Sequence, residues 1–167
     1  MRKLSVCFLL FAALLGAETF TSPKGDYSIT FPDTWKMEQG FMNTDVMASA
    51  PLKGEKDKFR DNVIVGSVDM ETPVTLEEYY RAGRAGLEKQ LQNFRFLRSG
   101  RTTIAGVPAR WIKYRHAFGK TRAEVIQYLF IKGKRSYVIT CTAEPEAFEE
   151  MEAEFKRIVR SFAFRAQ

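Results

Sequence analysis

The run Ala109-Arg110-Trp111-Ile112-Lys113-Tyr114-Arg115-His116-Ala117-Phe118, then Gly119-Lys120, then Thr121-Arg122-Ala123-Glu124-Val125-Ile126-Gln127-Tyr128-Leu129-Phe130-Ile131, decides the fold. Two stretches rich in aromatic and β-branched side chains flank a two-residue turn that opens on glycine, the pattern of a tight β-hairpin. A two-residue turn fixes the register. It sets Phe118 opposite Thr121, Arg115 opposite Glu124, Tyr114 opposite Val125 and Trp111 opposite Tyr128. Successive side chains of a strand point to opposite faces. Trp111, Ile126, Tyr128 and Phe130 therefore share one face, and Ile112, Tyr114, Phe118, Val125 and Leu129 share the other. Both faces are apolar, whereas a sheet with one wet face would be half polar. Both need cover.

Working outward, Arg95–Ile104 precedes this hairpin through the turn Ala105-Gly106-Val107-Pro108. Ser136–Ala143 follows it through Lys132-Gly133-Lys134-Arg135, which completes a four-strand meander. The last strand adds Tyr137, Ile139 and Cys141 to the first face and Val138 to the second. Upstream, Tyr27-Ser28-Ile29-Thr30-Phe31 alternates with period two, and further strands are predicted over 45–50 and 62–71.

The cover comes from two amphipathic helices. Thr75 with Glu78 three residues on forms a capping-box pattern, and Leu76, Tyr79, Tyr80, Gly83, Leu87 and Leu91 follow as one stripe. Gly83 and Gly86 lower helix propensity and predict close approach to the sheet. The second helix is predicted to start at Pro145, with Phe148, Met151, Phe155, Ile158, Val159 and Phe162 recurring every three or four residues. Its acidic start and basic end, with Lys156, Arg157 and Arg160, complement the helix dipole. The expected class is α+β: an α-β-α sandwich whose central antiparallel sheet carries amphipathic helices on both faces.

The chain has 167 residues with ordinary globular composition, 45% apolar and 28% charged, which suits one domain. Met1-Arg2-Lys3, an apolar run from Leu4 to Leu15 and the small pair Gly16-Ala17 read as a secretory leader over residues 1–17, cut after Ala17. Cys7 lies inside that run and so does not suit a lipid acceptor. The single domain then occupies 18–167 and lies in the periplasm or outside the cell, with no transmembrane segment once the leader is gone. Cys141 is the one thiol left, so no internal disulfide forms and an apolar core must supply the stability. Losing Arg2 and Lys3 leaves 24 basic against 20 acidic residues, a mild +4.

The ordered set Tyr27-Ser28-Ile29-Thr30-Phe31-Pro32-x-x-Trp35, Phe59-x-x-Asn62-Val63, Gly106-x-Pro108-Ala109, Tyr137-x-Ile139-Thr140 and Phe155-x-x-Ile158-x-x-Ser161-Phe162 resembles the PsbP/DcrB-like domains. The resemblance spans nearly all of 18–167 and implies the same α-β-α sandwich. It implies no single activity. Relatives include a lumenal photosystem II subunit, a Ran-binding nuclear factor, periplasmic proteins linked to phage entry and chaperones for secreted effectors. They share the binding of other macromolecules, and the matching positions are fold determinants, so no functional residue carries over.

The chemistry-bearing residues are few. His116 is the only histidine, and a zinc site or a Ser-His-Asp arrangement needs partners that the sequence around it lacks. Cys141 sits mid-strand between apolar neighbours and suits a buried role. The acidic pairs Glu149-Glu150 and Glu152-Glu154 are accounted for by the helix start. No phosphate-binding glycine loop occurs. No catalytic, metal or cofactor residue is therefore expected, and the scattered cations argue against nucleic acid.

The expectation is an exported, non-enzymatic binding or accessory domain acting on a protein or cell-envelope component. The alternative is a carrier of a small apolar ligand, or an enzyme, with a pocket between sheet and helix. Recognition should fall on loops and edges. Lys132, Lys134 and Arg135 in one hairpin are the expected docking residues. The loop Lys53–Asp61, with seven of nine residues charged, is a second docking candidate. Trp35 and Trp111 are both expected in the core.

Overall fold

The computed structural model of the chain describes residues 16–24, 26–54 and 59–165. Residues 1–15 of the expected leader, and 55–58 of the charged loop, lie outside the described residues. Seven antiparallel strands make the main sheet: β3 (Lys36–Gln39), β4 (Val46–Ser49), β5 (Asn62–Asp69), β6 (Gln92–Ile104), β7 (Val107–Phe118), β8 (Thr121–Lys132) and β9 (Arg135–Ala143). Their spatial order is β3-β4-β5-β9-β8-β7-β6. A second sheet holds β1 (Ala17–Thr21), β2 (Tyr27–Pro32) and β10 (Ala163–Phe164), with β2 in the middle.

The β7–β8 register is the expected one at all four positions, from Phe118 opposite Thr121 to Trp111 opposite Tyr128. Gly119 takes φ +57°, the left-handed backbone that this turn demands and glycine adopts without strain. The other two hairpins are tighter than expected. Ile104 pairs with Val107 and Lys132 with Arg135, so each turn has two residues, and Pro108 belongs to β7.

Each helix serves its own apolar cluster. α2 (Phe148–Arg160) contributes Phe148, Phe155, Ile158 and Val159 to a cluster with Ile126, Tyr128, Phe130, Tyr137, Ile139 and Cys141. Burying such a side chain contributes roughly 1.5–3 kcal/mol each. β1 and β2 add Phe20, Tyr27, Ile29 and Phe31, and Trp35 is buried among them as expected. This face is thus covered by a helix and a small sheet together, a layer the sequence reading did not contain. α1 (Leu76–Gln90) contributes Tyr80 to a smaller cluster with Ile112, Tyr114, Val125 and Leu129. Its capping box is present, with Glu78 N–H donating to Thr75 and the Glu78 carboxylate accepting from Thr75 N–H.

Several local expectations need correction. The second helix starts at Phe148 with Ala147 as cap, and Pro145 lies in the turn before it. A Cβ on Gly83 would stand 3.3 Å from Leu129, which fits close packing, but one on Gly86 would meet nothing within 4 Å. Phe118 lies at the strand end and is 60% exposed, because the hairpin runs past the cover of α1. Trp111 is only half-buried, for a reason given below.

Candidate functional site

Two clefts with basic walls lie at different places on this frame. The first surrounds the β8–β9 turn and encloses about 560 Å³ between Lys24, Asp26, Asp69, the turn and Phe164-Arg165. The turn brings the three expected docking residues together but gives them different work. Arg135 turns inward. It lies 3.5 Å from Asp26 and 3.5 Å from Asp69, donates to Ser67 Oγ at 2.6 Å, and is 15% exposed. Lys132 caps the Phe164 ring, with Nζ 3.9 Å from its centroid, a cation–π contact. Lys134 is exposed and makes no ion pair among the described residues.

Asp26 is the hub of this end. Burial raises its pKa, but hydrogen bonds from Ser22 and from Tyr137 (2.8 Å) and the Arg135 charge outweigh that and hold it below the usual carboxylate range. Lys24 pairs with Asp69 and lowers its pKa in turn. The free positive charge of the cleft therefore rests on Lys132, Lys134 and Arg165, with Arg165 also donating to Thr21 Oγ1 at 3.1 Å.

The second cleft, of about 500 Å³, runs between the last turns of α2 and the β6–β8 side of the sheet. Its floor is apolar: Trp111, Ile126 and Val159. Its walls carry Arg98 from β6, and Glu152, Lys156 and Arg160 from α2. Glu152 is held by Lys156 at 2.8 Å, and stands 3.9 Å from both Arg98 and the buried Lys113. Three cations thus surround one carboxylate already engaged from beneath. Arg101 also borders this cleft, but its guanidinium goes to Glu77 at 3.7 Å.

Trp111 is half-open here because it faces Gly100 on β6, and its indole occupies the space where a Cβ would stand. The sequence reading missed this cleft. In sequence Arg98 is one cation among several in the strand 95–104, and the basic end of α2 reads only as a dipole partner.

The remaining candidates are structural. Cys141 is wholly buried, and burial pushes its thiol far up, away from the reactive thiolate. His116 is 4% exposed between Tyr114 and Phe118, and burial lowers its pKa. Among the described residues no group of three or more His, Cys, Asp or Glu stands ready to hold a metal, and no helix is long and apolar enough to cross a membrane. The loop Lys53–Asp61 is anchored at its ends. Lys53 is 3.7 Å from Asp61 and 3.5 Å from Glu150, and Arg60 donates to the Ala50 carbonyl.

A mixed α+β domain with two helices, a large antiparallel sheet and basic clefts at its margins is the class that this geometry defines. The chain belongs to the PsbP-like protein family, whose pattern matches residues 13–164. Its fold is similar to that of PA94 from Pseudomonas aeruginosa, a protein of unknown function (TM-score 0.66, 14% identity, 90% of this chain and 99% of that one). It is similar to cyanobacterial PsbP from Synechocystis sp. PCC 6803 (0.66, 13%, 97% and 99%). It is also similar to LpqN of Mycobacterium tuberculosis, which is involved in cell envelope biogenesis (0.64, 11%, 90% and 91%). No curated protein matches the chain.

Proposed function

We propose that this is an exported binding domain that acts without catalysis on a protein or cell-envelope component, within an α-β-α layering that has helices on both sheet faces. The observation that carries this reading is the β8–β9 turn, where Lys132 and Lys134 stand beside Arg165 at one end of a rigid sheet. Surplus cations on a fixed hairpin suit an anionic surface, protein patch or head group, and speed encounter with it. The involvement of LpqN, a protein of similar fold, in cell envelope biogenesis supports this reading. The leader over residues 1–17 accounts for export, and exported material should have an intact mass that starts at Glu18. A retained Met1 would overturn cleavage.

Capture from the native envelope fraction tests the hairpin. Wild type should retain a partner in a salt-dependent manner, and the Lys132→Ser/Lys134→Ser variant should lose both the retention and the salt response. Unchanged yield with unchanged salt response would overturn it. A second reading, a carrier of a small ligand, is favoured by the cleft between α2 and the sheet.

A further inference from the structure

We infer that the cleft between α2 and β6–β8 is a binding site for a small organic anion, a carboxylate, sulfonate or phosphate carried on a flat apolar body. The inference deepens the carrier reading and is independent of the hairpin.

The floor sets the shape of the ligand. Trp111 is held over Gly100 and borders the cleft with the Arg98 guanidinium 5.8 Å from its ring centroid, so a planar group can pack against the indole beside that cation. Val159 and Ile126 extend the same apolar surface. A volume of about 500 Å³ lies in the range of small-molecule sites.

The walls set its charge. Arg160 is exposed on the last turn of α2 and makes no ion pair among the described residues. Lys156 and Arg98 share Glu152, which Lys113 also approaches, so the one acidic group is already compensated. Tyr128 lines the cleft and is only 8% exposed, yet its hydroxyl makes no hydrogen bond among the described residues. Its oxygen is accessible from the cleft, so the hydroxyl is free to donate to an acceptor there. Burial pushes its pKa up, with Cys141 and Glu152 adding to that and Arg160 opposing, so the hydroxyl remains a donor. An anionic oxygen beside Tyr128 and Arg160 would take one hydrogen bond and one charge-assisted bond.

The test uses 8-anilinonaphthalene-1-sulfonate, a flat apolar body bearing one sulfonate, and N-phenyl-1-naphthylamine, the same body without it. The purified protein should bind the sulfonate one to one and quench tryptophan emission. The uncharged dye should bind about tenfold more weakly, the effect of losing one charge-assisted contact. Arg160→Gln/Lys156→Gln, two exposed positions whose change spares the core, should weaken the sulfonate about tenfold and leave the uncharged dye unchanged. Tyr128→Phe should weaken it as well, and Trp111→Leu should abolish the quench. Near-ultraviolet circular dichroism of each variant confirms that dye uptake reports a folded site. Equal binding of the two dyes, binding unaffected by the double substitution, or no saturable binding would overturn the assignment. The hairpin variant Lys132→Ser/Lys134→Ser should bind the sulfonate like wild type, so the two sites fail or succeed separately.

Discussion

The indole of Trp111 occupies the space above Gly100 on the neighbouring strand: a Cβ at residue 100 would lie 2.7 Å from the ring. This contact explains why a tryptophan expected in the core is half-open. It packs on a backbone at Gly100 and borders the cleft beside Arg98, whose guanidinium lies 5.8 Å from the ring centroid.

Gly100→Ala should therefore displace the indole. Overpacking of this kind costs about 1–3 kcal/mol. Chemical denaturation and the emission maximum of Trp111 check it, and an unchanged midpoint with unchanged emission would show that the contact is not tight.

Lys113 and Glu124 form a buried pair at 2.8 Å, with side chains 9% and 6% exposed, and Arg115 reaches the second carboxylate oxygen at 2.6 Å. Lys113→Ala should cost about 1.5–3 kcal/mol, because Glu124 loses its buried charge-assisted bond and keeps only the one from Arg115. Replacing both, as Lys113→Met/Glu124→Leu, should recover most of that loss. Urea midpoints of the two variants decide, and a double variant as unstable as the single would point to packing instead of charge.

His116 gives stability a pH dependence of definite sign. Its pKa in the fold lies below the ordinary 6.5, because burial disfavours the charged ring. The unfolded chain then binds a proton that the folded one does not. Stability is full above pH 6.5 and falls as pH drops from there toward the lowered value. It is the only histidine, so His116→Phe should flatten the stability profile just below pH 6.5. A profile equally steep in the variant would place the effect elsewhere.

The hairpin cations should separate by stability. Arg135→Ser removes contacts to Asp26, Asp69 and Ser67 and should cost about 1–3 kcal/mol, the range for bonds to charged groups. Lys134→Ser should stay within about 0.5 kcal/mol. Thermal midpoints check both, and Arg135 proving as dispensable as Lys134 would overturn its anchoring role.

What the sequence disclosed follows from range. β7 and β8 are legible with their register, and β9 with its facing, because long apolar alternation and the two-residue turn at Gly119 act locally. β3 reads Lys36-Met37-Glu38-Gln39, which carries no strand signal, and forms only because β4 offers an edge. β10 is two residues long and exists because β2 lies beside it. The second cleft was hidden by one extra residue. The register of β6 slips between Phe96 and Arg98, so Arg98 joins Arg95 on the α2 face, where strict alternation would send it to the other. The partners of Arg135 at Asp26 and Asp69 are set by the fold, and nothing near the hairpin in sequence announces them.

The seam between the two ends of the chain also sets an order of events. Tyr27 stacks on Phe162 at 4.8 Å, and Thr30 N–H donates to Ser161 Oγ at 2.8 Å, across 131 residues of sequence. A strand near the beginning is completed by a segment near the end, and contacts of such separation form late. A chain emerging N-terminus first keeps β2 unsealed until residue 162 arrives, so the domain cannot close vectorially. Truncation at Arg160 should leave residues 17–32 open to limited proteolysis that the whole chain resists; equal resistance would break this sequence of closure.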